Sequence, residues 1–176
     1  MSGIIQATNL QVDNIKHSGG TSAMTINSSG NVNMAGHIIQ LVTNTHSTAV
    51  TISGSTYEDS GLTCQITPKF STSKIFITVS QHFKIHHATA DSGAGWKIFR
   101  DSTEVKASNV NYAVYIYQEG SDAVDSRGWQ TYNYLDSPST TSAITYKTQI
   151  SKYGSGTVIV QDNNNPSTMT LMEVAQ

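Results

Sequence analysis

The run Lys74-Ile-Phe-Ile-Thr-Val-Ser-Gln-His-Phe-Lys-Ile85 decides the fold class. Ile75, Ile77, Val79, Phe83 and Ile85 fall on one side of an extended chain, a period of two broken only by Gln81. Working outward, the same period returns. Val110, Tyr112, Val114 and Ile116 share one face and leave Tyr115 and Tyr117 on the other. Near the end, Met169 and Leu171 point one way, Met172 and Val174 the other. Apolar residues on both faces indicate central or interface strands rather than solvated edges. Helical periodicity appears over no useful length.

Strands are expected at about 37–43, 48–53, 62–67, 74–85, 95–100, 103–107, 109–118, 128–135, 143–152, 156–162 and 168–175. Turns every ten residues or so suit a sandwich or barrel. With no repeat of fixed period, an antiparallel jelly roll fits better than a propeller or solenoid. The hairpin Gly95–Arg100 to Thr103–Lys106, turning at Asp101-Ser102, belongs to that plan. The chain divides near Gly36 into a segment 1–36 and a β-domain 37–176.

Composition agrees. Charged residues make up 12% of the 176, about half the usual share, while 23 Ser and 22 Thr crowd the chain. Val, Ile, Tyr and Phe recur throughout, so this is β-structure with hydroxyl-rich outer faces and not a disordered chain. A net charge of −2 gives no electrostatic footprint for nucleic acid. No run has the length of a membrane-spanning helix, and no basic region with an apolar core opens the sequence. Synthesis in a cytoplasm without a signal peptide, and no membrane insertion, are therefore expected. Cys64, the single cysteine, shares a face with Leu62 and Ile66 and reads as a small buried hydrophobe.

The segment before Gly36 behaves differently. Leu10, Val12, Ile15, Met24, Ile26 and Val32 are apolar, but they are few, scattered and without an aromatic residue. They cannot offset the entropy of ordering their own backbone. The segment needs something to pack against, most simply copies of itself or another protein.

The pattern Leu10-Gln-Val-Asp-Asn-Ile15, with Ala23-Met-Thr-Ile-Asn27 and Ser29-Gly-Asn-Val32, resembles the start of tail-fibre and related virion proteins of marine phages, of the cyanophage and pelagiphage kind. Ser73–Val79 and Met169–Gln176 are similar to the C-terminal domains of such proteins. The resemblance implies a homotrimeric jelly roll of the tumour-necrosis-factor and C1q sort, located in the virion. It implies a short tail fibre or receptor-binding tip, with a capsid decoration or a tail or baseplate connector as the alternative. The six apolar residues of the first segment would then serve trimer packing and docking onto other virion proteins. The partner of the β-domain would be a host-surface glycan or protein.

Chemistry-bearing clusters are sparse. His82 and His86 share a strand face about 13 Å apart, too far to ligate one ion. His17, His37, His46 and His87 form no metal-binding spacing, and no metal or other cofactor is expected. The acidic loop Glu119-Gly-Ser-Asp-Ala-Val-Asp125 matches no calcium-loop template. Carboxylate pairs for glycoside hydrolysis exist only in turns without aromatic framing: Glu58/Asp59, Asp101/Glu104 and Glu119/Asp122/Asp125. Gly-x-Ser-x-Gly, His-Glu-x-x-His and phosphate-loop patterns are absent. The chain reads as a non-enzyme, with a polysaccharide-degrading fibre the remote alternative.

Aromatic residues carry more information. Seven of the eight tyrosines lie between Tyr112 and Tyr153. Such rings line cores and subunit interfaces, and beside amides and carboxylates they also stack on sugars or anchor proteins. The expected receptor contacts are Tyr115, Tyr117, Glu119, Asp122, Asp125, Trp129, Tyr132 and Tyr134.

Overall fold

The computed structural model describes residues 13–87, 91–108, 112–117 and 122–176. Leu10, Val12, Val110 and Glu119 lie outside the described residues. Strands β1 (Asn14–Lys16), β2 (Ser22–Ile26) and β3 (Val32–Asn33) form a small antiparallel sheet of their own. Its two connections turn at Gly20 and Gly30. From Asp13 to Gln40 no residue is buried; Ile15 is 47% exposed and Val32 44%.

Eleven strands follow: β4 (Ile38–His46), β5 (Val50–Ile52), β6 (Glu58–Ile66), β7 (Lys74–His87), β8 (Ser92–Arg100), β9 (Thr103–Ala107), β10 (Val114–Ile116), β11 (Val124–Asp136), β12 (Ile144–Gly154), β13 (Thr157–Val160) and β14 (Ser167–Val174). All pair antiparallel, in two sheets packed as a sandwich. The all-β reading holds, and each expected strand has its counterpart. Of the expected 109–118 strand, the described residues 112–117 are extended at Val114–Ile116. Tyr112 sits in the turn before it, so the alternation that placed Tyr112 beside Val114 stops short.

One sheet runs β10–β8–β12–β6, with β9 sharing the β8 edge that β10 occupies. The other is organised by β7, the longest strand. β11 follows one edge of it from Ile75 to His87. The opposite edge is divided: β14 pairs with Lys74–Ser80 and β13 with Phe83–His86, with β4 and β5 beyond them.

The inward face of β7 is the one its sequence announces. Ile75, Ile77, Val79, Phe83 and Ile85 are all buried, and they meet Leu62, Ile66, Ile98, Ile150, Met169 and Leu171. Gln81 marks a boundary. Two apolar clusters fill the sandwich, and between them lies a buried polar layer. Gln81 Nε2 donates to Ser167 Oγ at 2.9 Å, and Thr148 Oγ1 donates to Gln81 Oε1 at 3.0 Å. Ser60 joins through Thr148, and Gln161 through Ser167. The amide that breaks the period is buried without being orphaned, as a buried polar group must be.

Cys64 is buried in the first cluster, and burial pushes its thiol pKa up. Among the described residues no helix is long and apolar enough to cross a membrane.

Candidate functional site

Strand β8 carries two glycines, Gly93 and Gly95, on the outer face of its sheet. In register with Gly93 stand Tyr153 on β12 and Tyr115 on β10. A Cβ at Gly93 would stand 2.6 Å from the Val114 carbonyl and 2.8 Å from the Tyr112 Cβ. Only glycine lets the turn at Tyr112 close over the strand. The result is a group of three rings: Tyr112 and Tyr153 at 4.8 Å, Tyr112 and Tyr115 at 5.5 Å, Tyr115 and Tyr153 at 6.2 Å. Gly154, at φ 78°, passes so close to Asp91 that a Cβ would meet its carbonyl oxygen at 2.0 Å.

All three rings remain exposed, and Tyr117 more so at 66%. The Tyr115 hydroxyl donates to an Asp91 carboxylate oxygen. That bond, first among its causes, pushes the Tyr115 pKa up to about 12. Tilted rings beside a carboxylate offer flat apolar area with acceptors at its rim, suited to stacking on a ligand and holding its hydroxyls. Aromatic area and a carboxylate together equip the patch to bind.

The outer face of the β7 sheet is built differently. At one end Asp125 accepts from His86 Nδ1 (2.6 Å) and Arg127 Nη2 (2.9 Å), with Lys84 Nζ at 3.4 Å. Arg127 Nε also reaches Asp162 at 3.0 Å. The His86 ring, then Lys84 and Arg127, hold the Asp125 carboxyl below its usual range, the opposite of what a general acid needs. Lys84, His86 and Asp125 line a shallow depression of about 650 Å³ with Ala123, Thr157 and Ile159. Next along the strand, Trp129 covers His82. The rings meet edge-on at 4.9 Å, and the indole N–H donates to the Pro166 carbonyl. Burial lowers the His82 pKa. Among the described residues no three His, Cys, Asp or Glu side chains gather as metal ligands.

The residues expected to form one receptor surface therefore separate. Tyr115 and Tyr117 belong to the tyrosine patch, and Asp122 is exposed. Asp125 and Trp129 lie on the outer face of the opposite sheet, where salt bridges and a hydrogen bond already engage them. Tyr132 is a correction. It is 6% exposed, and its ring stacks on Trp96 at 4.0 Å and 5°, so it is a core residue out of reach of any partner. Tyr134 is half-buried against the same cluster. The parity of β11 puts Tyr132 and Tyr134 opposite Trp129, but only pairing with Val79 and Ile77 says that theirs is the inner face. Tyr112 and Tyr153, by contrast, complete the patch unforeseen. The available signal was a tyrosine at each end of strands flanking a glycine-bearing one.

No protein-family model matches the sequence, and no characterised protein matches it either. Similarity appears at the level of structure, to infectious bursal disease virus. The Gt strain structure superposes at TM-score 0.37 with 11% identity, over 99% of this chain and 47% of that one. The Gx strain gives 0.36 and 12%, over 82% and 40%. The VP2 subviral particle gives 0.35 and 15%, over 78% and 38%. The chain thus spans less than half the length of these viral proteins, and likeness this loose assigns neither family nor role.

Proposed function

We propose that this chain is a phage virion structural protein, a short tail fibre or its receptor-binding tip, assembled as a homotrimer. Residues 1–36 dock onto other virion proteins and intertwine the subunits. The sandwich is displayed outward and holds a host-surface glycan or protein through Tyr112, Tyr115, Tyr117 and Tyr153. It works by adhesion and carries out no catalysis. Weak single sites suffice when several copies engage together.

One observation carries this reading: a complete sandwich with its own core is preceded by a sheet in which no residue is fully buried. Ile15 and Val32 are ordered into strands yet exposed, and Met24 and Ile26 are only half-buried, which is little burial to repay ordering them. The missing contacts are supplied by assembly.

The test separates the two halves. Replacing Leu10, Val12 and Ile15 by Ser should leave the sandwich folded and abolish incorporation into particles; normal incorporation would overturn the docking role. Replacing Tyr112, Tyr115 and Tyr153 by Ser should leave incorporation intact and lower adsorption to host cells at least tenfold. Unchanged adsorption would remove the patch from recognition.

A further inference from the structure

Register across β4, β14, β7 and β11 lines up their outward residues in rows. Leu41, Met172, Phe76 and Leu135 make one continuous apolar row across four strands. Ile38 and Val174 extend it at one end. Leu41 is 56% exposed, Ile38 57% and Leu135 45%. The next row is Thr43, Thr170, Thr78 and Asn133, and the next Thr45, Thr168, Ser80 and Thr131. The two hydroxyl rows carry no formal charge; Lys74 stands beside Val174 where the apolar row is extended. Salt bridges lie away from these rows: Lys84, Asp125 and Arg127 at the far end of the same face, and Asp59, Lys97, Glu104 and Lys147 on the outer face of the other sheet.

We infer that this face is a self-association surface and that its occupant is a second copy of the chain. The inference rests on the homo-oligomer proposed above and is independent of host attachment. An apolar row exposed on a solvent face, continuous across four strands, offers a contact surface. Hydroxyls and amides both donate and accept, so rows of them are complementary to themselves, whereas a charged partner would find no counter-charge within the hydroxyl rows.

Size sets a further condition. Four strands about 4.8 Å apart, over six residues at about 3.4 Å each, give a plane of roughly 400 Å² per copy. Two such planes bury about 800 Å², short of the roughly 1,200 Å² of a stable specific interface. The contact therefore continues into the N-terminal sheet, which leaves the sandwich beside the apolar row. Gly36 N–H bonds the Ala175 carbonyl, and Ala175 N–H bonds the His37 carbonyl, next to Ile38 and Val174. The face and the unburied N-terminal sheet form one continuous assembly surface.

Light scattering on the full chain tests this. Wild type should show a multiple of 19.0 kDa. Leu41→Arg with Leu135→Arg, which opposes like charges without touching the core, should raise the concentration needed for association at least tenfold. Tyr115→Arg, on the other sheet, should leave the mass unchanged. Oxidative footprinting of Met172 in wild type gives a readout independent of any variant: it should be protected in the concentrated protein and lose that protection on dilution. An oligomer whose mass resists both arginines, or a Met172 equally reactive at all concentrations, would overturn the surface while leaving the oligomer standing. A wild-type monomer would overturn both.

Discussion

Glu173 is the sharpest test of how this sandwich is held closed. It is fully buried on β14, on the face it shares with Ser167, Met169 and Leu171. Its carboxylate accepts from the Lys69 and Phe70 backbone N–H groups at 2.8 and 3.1 Å, and from Gln40 Nε2 at 2.6 Å. One side chain thus ties the 67–73 connection to both β14 and β4. In Glu173→Ala, two backbone donors lose their acceptor at about 1–3 kcal/mol each. Gln40 can turn to water, since it is only half-buried. The expected loss is about 2–6 kcal/mol, a large part of a typical total of about 5–15. Glu173→Gln keeps a carbonyl oxygen for the two amides, and Gln40 can present its own oxygen to the new NH₂; about 1 kcal/mol should suffice. Urea denaturation, compared at constant m-value, reads both differences. An alanine variant that loses less than about 1 kcal/mol, or a glutamine variant as unstable as alanine, would refute the reasoning.

Two further predictions concern the tyrosine patch. The Tyr115 hydroxyl donates to Asp91, so its raised pKa stabilises the fold below about pH 10; that contribution should vanish as pH rises from about 10 to 12. Burial also raises the pKa of Tyr132 and Tyr146, so ultraviolet difference titration should show several tyrosines ionising late, one fewer of them in Tyr115→Phe. A late group undiminished in that variant would refute the bond. Gly93→Ala should displace Tyr112 at about 1–3 kcal/mol of overpacking and return the Tyr115 titration toward 10, whereas an unchanged near-ultraviolet dichroism spectrum would show that the turn does not need glycine.

Where the sequence speaks of periodicity it was legible. β7 could be read residue by residue, and Gln81 was correctly seen as the exception, although only the fold shows Thr148, Ser60 and Ser167 converging on it. Face membership within β11 was also legible, since Trp129 and Leu135 do oppose Tyr132 and Tyr134. Which face is inner was not, because that depends on the partner strand and not on parity. The same limit divided the expected receptor residues between two sheets. It also hid His82, polar by composition yet buried because Trp129 pairs with it across the strand boundary.

The two outer faces suggest how one small domain can both assemble and attach. A surface buried between copies cannot recognise a host, and a surface kept free for a host cannot hold copies together. Here the features that suit each task lie on opposite sheets. Charge-free rows and exposed aliphatics occupy β4, β14, β7 and β11, while the tyrosine patch rides on β10, β8 and β12. If copies meet through the first face around a common axis, every patch is turned away from that axis and remains exposed in the oligomer. Each subunit then contributes one site at fixed spacing, and a millimolar contact with a single ligand becomes a far tighter hold on a surface that displays many. The division of labour also predicts independence: arginines on the assembly face should lower adsorption by dispersing the sites, while a single domain keeps its intrinsic affinity. Measured on monomer and oligomer side by side, a change in that single-site affinity would mean that the two faces are coupled through the core.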